Sequence, residues 1–273
     1  MNESLTNGKE VTITTYPEGG KVKIDGGLEV STPYKGTLVY GTHKIIGMPV
    51  TQGYKETPVD ISIAPDGDNS FIIALISNNL NNTFTDPRDN KTYKTVKIGN
   101  QVWMAENLNY TGNNSYQRSI TDKSQWESNM AYDGWCYYDN NSSNGSKYGV
   151  LYQWKAALKA CPDGWHLPSD AEWTQFTDFV GGEINAGTKL KSKTGWRKNG
   201  NGTDDYGFTA LPGGCRGSNG YFGSMGSDGN WWSSTEDFED YPDSRDMSCN
   251  YANVGRSYYS KGCGFSVRCV RDL

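Results

Sequence analysis

The sequence predicts an α+β chain in two parts: a small β-sandwich, then a β-rich unit with two main helices and long ordered loops. Three observations carry this. The first 77 residues alternate apolar and polar side chains in short runs divided by turn residues. The 33 glycines, with many Asn, Asp and Ser, demand numerous turns and leave room for few long helices. The 9 Trp, 18 Tyr and 8 Phe supply burial in a chain only 35% hydrophobic, each ring covering about 150–250 Å². A length of 273 residues admits one large or two modest domains.

Taken in order, VTITTYP (11–17) alternates, PEGG turns, and KVKID (21–25) alternates again. STPYKGTLVYGTHKIIG (31–47) supplies two more strands broken at Gly41. VDISI (59–63) and SFIIALIS (70–77) flank APDGDN, which reads as a hairpin turn. Several β-runs at this spacing predict an antiparallel sandwich over residues 1–77. NNLNNTFTDP (78–87) is Asn-rich and aperiodic, so residues 78–86 read as a linker and 87–273 as the second domain.

In that second part, YKTVKIGNQVWMAENLNY (93–110) gives a strand, a Gly-Asn turn and another strand. KYGVLYQWKAALKA (147–160) reads as a helix with Leu151, Trp154 and Leu158 on one face. WHLPSDAEW (165–173) opens the other helix. Ser169 is the N-cap, Glu172 closes a capping box, and Asp170 suits the positive end of the helix dipole. Trp173, Phe176 and Val180 then recur at helical spacing until Gly181 and Gly182 stop the helix.

Composition excludes several classes. The formal charge is −5, with no basic stripe for a nucleic-acid backbone. The longest apolar run, FIIALIS, falls far short of the roughly 20 residues of a membrane-spanning helix. Cysteines 136, 161, 215, 249, 263 and 269 form no C-x-x-C pair, and His43 and His166 stand far apart, so no metal or cofactor is expected. At least one disulfide pair suits an oxidising compartment. MNESLTNGKE lacks the charged and apolar regions of a secretory signal, so export by a removed leader, or carriage on a phage particle, is the expectation.

YPEGGKVKIDG, STPYKGTLVYGTHKI and QGYKE resemble the PEGA domain family. The resemblance implies an immunoglobulin-like β-sandwich serving as a spacer on surface proteins, with His43 a satisfied strand residue. Further along, CYYDNN (136–141), CPDGWHLPSDAEW, GFTALPGGCRGSNGYFG, GNWWSSTE and GFSVRCVRD appear in order. With the 93–110 block they resemble the Fibrobacter succinogenes major paralogous domain over roughly 84–273. That family is similar to C-type-lectin-like folds, including formylglycine-generating enzymes and the variable proteins of diversity-generating retroelements. The resemblance makes Leu167, Pro168, Ala171, Glu172 and Trp173, then Gly264, Phe265 and Arg268, parts of a scaffold. It also implies that the domain's termini meet and that Cys161 bridges to Cys269. The partner of Cys136 is left open, and Cys249 and Cys263 either face one another across a turn at NVGR (253–256) or remain free thiols.

Residues 215–261 are dense in Gly, Ser, Asn, Asp and Tyr, the composition of an adaptable binding surface, and are expected to be loops and strand edges displayed on the core. Asn219, Tyr221, Phe222, Asp228 and Tyr241 are candidate contacts, followed by Arg245, Asn250, Tyr251, Tyr258 and Tyr259. Of Trp231 and Trp232 at least one belongs to the core, because adjacent strand residues face opposite sides. The expected function is non-enzymatic recognition or adhesion at a cell surface, the ligand being a protein or glycan on another cell or surface. A phage receptor-binding protein and a retroelement-diversified protein are variants of that expectation. The E-P-N, Q-P-D and W-N-D tripeptides of calcium-dependent lectins are absent from the sequence. Oxidase chemistry of the formylglycine-generating type is the alternative. It needs paired reactive thiols, for which Cys263 and Cys269 are the closest spacing and lack a flanking His base.

Overall fold

Alternation along VTITT places Val11, Ile13 and Thr15 on one buried face, and that face organises the first part of the chain. The computed structural model describes residues 8–16, 19–49, 54–77, 82–112, 117–237 and 241–272. The chain divides into two compact units, Met1–Asn79 and Leu80–Leu273.

The first unit carries β1 (Gly8–Tyr16), β2 (Lys21–Ile24), β3 (Glu29–Ser31), β4 (Tyr34–Val39) and β5 (Gly41–Met48). They are followed by β6 (Tyr54–Lys55), β7 (Thr57–Ile63), β8 (Ser70–Ala74) and β9 (Ile76–Ser77). One sheet runs β4-β1-β8, another β3-β2-β5-β7, and β6 pairs with β9. Val11, Ile13 and Leu38 from the first sheet meet Val22, Ile45 and Ile61 from the second in one core, which gives the layering of a sandwich. Two local expectations need correction. APDGDN is a crossing between sheets rather than a hairpin, since β7 pairs with β5 while β8 pairs with β1. The β1–β8 pair is parallel, with Ile13 opposite Phe71, so the sheets are not purely antiparallel. Burial of apolar faces decides this, because Ile63 and Ile73 reach the same core from opposite layers. His43 lies in β5, buried, with Nδ1 2.6 Å from Asp25 Oδ2 and Nε2 2.8 Å from the Val39 carbonyl. The strand-residue expectation for His43 therefore stands on its geometry.

The second unit opens with β10 (Asn82–Thr85), β11 (Thr92–Ile98) and β12 (Gln101–Met104). Then come β13 (Arg118–Ser119), α1 (Lys123–Glu127), β14 (Gly134–Cys136), α2 (Gly145–Tyr148), β15 (Leu151–Tyr152) and α3 (Trp154–Ala157). The remainder holds α4 (Asp170–Phe179), α5 (Glu183–Leu190), β16 (Cys215–Arg216), β17 (Phe222–Gly223), β18 (Asp228–Trp232), β19 (Asp243–Ser248), β20 (Gly255–Tyr258) and β21 (Val270–Asp272). The expected linker is corrected at its C-terminal side. Residues 82–85 form β10 and pair with β11, with Phe84 opposite Tyr93 and packed on Trp165 at 5.1 Å.

β21 pairs with β12, so the unit's two ends meet, and Cys161 is bonded to Cys269. β12 is buried along its whole length and feeds two cores. Val102 and Met104 enter one with Tyr152, Trp154 and Phe265. Trp103 enters the other, 4.6 Å from both Trp173 and Phe176 of α4. β18 repeats the pattern, Trp231 facing the α4 core and Trp232 the other.

The capping box forms as expected: Ser169 Oγ accepts from Glu172 N at 3.2 Å and Glu172 Oε2 accepts from Ser169 N at 2.7 Å. The helix expected over 147–160 does not form. Gly149, at φ +75°, ends α2, and Leu151–Tyr152 pair with Trp135–Cys136 as β15 before α3 begins at Trp154. Leu151 and Trp154 are buried, whereas Leu158 is 40% exposed, so the three share no helical face. A pairing edge at β14 and a core on both sides of 150–152 outweigh the helical period. α5 follows directly after the Gly181-Gly182 stop and lies outside the expected helices.

Candidate functional site

The segment 215–261 is only partly a display, which corrects the expectation of loops laid over a core. β18 and β19 pair antiparallel, with Trp231 opposite Arg245, and both tryptophans, Ser233, Asp243, Ser244, Arg245 and Met247 are buried. The low aliphatic content misleads here because indole rings, a methionine and a satisfied guanidinium fill the space instead.

The ten candidate contacts separate into three groups. Asn219, Tyr221, Tyr241, Tyr258 and Tyr259 are exposed, and the last three meet at one end of the β19–β20 pair. The turn holding Asn219 and Tyr221 packs beside Gly262, whose added Cβ would lie 3.3 Å from Ser218. Tyr258 lies opposite Asp243 across the β19–β20 pair, and Tyr259 N donates to the Pro242 carbonyl, next to Tyr241. Tyr259 also meets the Phe265 ring edge-on at 5.0 Å, and Lys123 sits 4.5 Å over the Tyr221 ring.

Asn250 and Tyr251 are exposed too, but they follow the far end of β19. Its six residues set them roughly 17 Å from Tyr241 and Tyr258 at about 3.4 Å per residue. Phe222 and Asp228 are half-buried, Phe222 under Arg216 and 5.3 Å from Tyr138. Arg245 is fully buried and is not a contact. Its Nη2 donates to Asp170 Oδ1 at 2.6 Å and its Nη1 to Glu183 Oε1 at 2.5 Å, which ties β19 to the start of α4 and α5.

Below the tyrosines the site is held by residues the sequence reading did not select. Arg216, fully buried, donates to the carbonyls of Gly220, Ile120 and Thr121 at 2.7–3.1 Å and lies 4.4 Å over Trp126. Lys261 pairs with Glu236 at 2.5 Å beside Trp154, whose indole N–H donates to the Ser233 carbonyl. Asp243 is buried with neither oxygen hydrogen-bonded among the described residues, and burial, with Asp237 and Asp170 nearby, pushes its carboxyl up to about 6. An arginine among Gly, Ser and Asn is the only sequence signal for this support, and it does not separate buried from exposed.

The remaining cysteines do not pair. Cys136, Cys215, Cys249 and Cys263 are free, so the Cys249–Cys263 bridge left open by the sequence is not formed. Burial pushes the Cys136 thiol up to about 12 and Cys215 to about 11, and also raises Cys263. Cys269 is engaged with Cys161, so the Cys263–Cys269 couple considered for oxidase chemistry is unavailable. His166 Nε2 lies 2.5 Å from Glu172 Oε1, within the helix cap rather than beside a thiol.

Residues 96–271 match the family model of the Fibrobacter succinogenes major domain. The chain belongs to this family. The matched stretch spans β12 to β21, the strand pair that closes the second unit, and contains every candidate contact. No curated protein matches the chain. A crystal structure of a fimbrial protein from Bacteroides ovatus is similar at 12% identity, covering 98% of this chain and 71% of that one. Its TM-score of 0.28 is too low to carry an argument about fold or role.

Proposed function

We propose that this member of the Fibrobacter succinogenes major domain family is a non-enzymatic recognition protein of a cell surface. In this reading the second unit is a C-type-lectin-like head and the first a PEGA-like spacer. One observation carries it. Among the described residues, the large exposed aromatics of the second unit are Tyr221, Tyr241, Tyr251, Tyr258 and Tyr259, all within 215–261, while its tryptophans line the interior. Tyrosine offers rigid area at low entropic cost, with a hydroxyl to orient a partner. The tyrosines at one end stand on a frame fixed by a disulfide and buried arginines, so little ordering is required on binding.

The ligand class is a protein or glycan on another surface. Probing the full chain against an array of glycans and cell-surface proteins tests this. A ligand should be captured, and Tyr241→Ala with Tyr258→Ala and Tyr259→Ala should weaken capture at least tenfold in protein that circular dichroism shows still folded at the assay temperature. Capture that survives the triple variant refutes a site at this end.

A retroelement-diversified head is a second reading, favoured by the interleaving of exposed Asn219, Tyr221, Asn250 and Tyr251 with buried Trp231, Trp232 and Arg245. It requires a near-identical template repeat beside the gene, differing at adenines. Flanking DNA without one removes it.

A further inference from the structure

A cavity of about 340 Å³ lies in the second unit and shares no lining residue with the exposed tyrosines. Its walls come from the start of β11, the stretch following β12, helix α2 with Gly149, and Thr209 and Leu211. The volume is at the small end of ligand pockets, which run to about 300–1,000 Å³, so it suits a small molecule or one terminal unit of a larger one.

The charges lining it are unequal. Lys91, Lys94 and Lys147 stand against one carboxylate, Glu106. Lys91 is occupied, paired with Asp89 at 3.1 Å and donating to the Asn109 carbonyl. Lys94 and Lys147 are exposed and have no carboxylate partner among the described residues, Lys147 resting only 5.0 Å over the Tyr148 ring. Two free ammonium groups at one cavity select an anion.

Glu106 narrows the choice. Its Oε2 accepts the Lys94 backbone N–H at 2.7 Å, which fixes the carboxylate at the cavity wall. An ionised carboxylate only accepts hydrogen bonds, so it repels a bare anion and rewards a ligand that also brings hydroxyl donors. Tyr93 and Leu211 also line it and add apolar surface against which a ring C–H face can pack. Anion, hydroxyls and a compact apolar face together describe a carboxylated sugar.

We propose that this cavity binds the acidic sugar unit of a uronic-acid type, its carboxylate between Lys94 and Lys147 and its hydroxyls on Glu106. The site is separate from the tyrosine end and does not depend on that reading.

Titration calorimetry of the full chain with glucuronate, glucose and inorganic sulfate tests it. Glucuronate should bind saturably, with glucose and sulfate each at least tenfold weaker. Lys94→Gln with Lys147→Gln should weaken glucuronate at least tenfold without moving the melting temperature, both side chains being exposed. Glu106→Gln should narrow the gap between glucuronate and sulfate. Methyl glucuronide and a glucuronate-terminated oligosaccharide separate a free acid from a chain end as the natural source. No glucuronate binding, equal binding of glucose or sulfate, or an indifferent double-lysine variant overturns the proposal. The triple tyrosine variant should bind glucuronate normally, so the two sites fail independently.

Discussion

Arg245 stands in DSRDM, a stretch whose composition reads as solvated loop, yet its guanidinium is held by carboxylates 75 and 62 residues away. Arg268 is buried as deeply and makes no salt bridge among the described residues, Asp204 and Glu106 acting on it only from farther away. It donates to Asn107 Oδ1 at 2.7 Å and to the carbonyls of Met104, Phe208 and Thr209 at 2.6–3.1 Å. Burial pulls its pKa down to about 9, which leaves it charged at neutral pH. Arg268→Ala strands those acceptors and should destabilise the second unit by about 3–5 kcal/mol in denaturant unfolding. Asp243 predicts a pH effect with a definite sign. Its folded pKa of about 6 exceeds its ordinary 3.8, so its stabilising contribution is complete below pH 3.8 and is lost as pH rises through 6. Asp243→Asn removes that loss. The melting temperature of the variant relative to the parent should therefore climb between pH 4 and pH 8, and a flat difference would contradict the assignment.

Local chemistry wins for some elements and loses for others. α4 forms where Ser169 and Glu172 place it, because both halves of the capping box lie within one turn and need no help from elsewhere. The 147–160 segment shows the opposite. Its spacing suits a helix, but Gly149 sits at φ +75° and an added Cβ would lie 2.7 Å from the Leu108 carbonyl oxygen. The close approach of the stretch after β12 therefore helps decide the break, and Gly149→Ala should cost at least about 1 kcal/mol from the positive φ alone, before the clash is counted. Thermal unfolding of that variant checks it. β1 and β8 illustrate the same limit: β1 alternates and β8 is a continuous apolar run, both legible as strands, yet their parallel pairing follows from two sheets closing over one core.

Across the whole molecule, the closure of the second unit is the feature the family resemblance anticipated best, since Cys161 and Cys269 are joined across 108 residues. Opening a loop of that length should cost about 4–5 kcal/mol in a chain-entropy treatment, so Cys161→Ala should unfold at markedly lower denaturant under oxidising conditions. A variant that melts with the parent would show that the β12–β21 pair suffices for closure. By itself the sequence determined the strands, the capped helix, the turns and the excess of tyrosine, all set by residues a few positions apart. Only the tertiary structure decided that Arg245 is internal, that Tyr241, Tyr258 and Tyr259 share an end while Tyr251 does not, and that lysines from β11 and α2 border one cavity. The physical reason is that burial and charge pairing depend on which distant segments meet, and local periodicity carries no record of that.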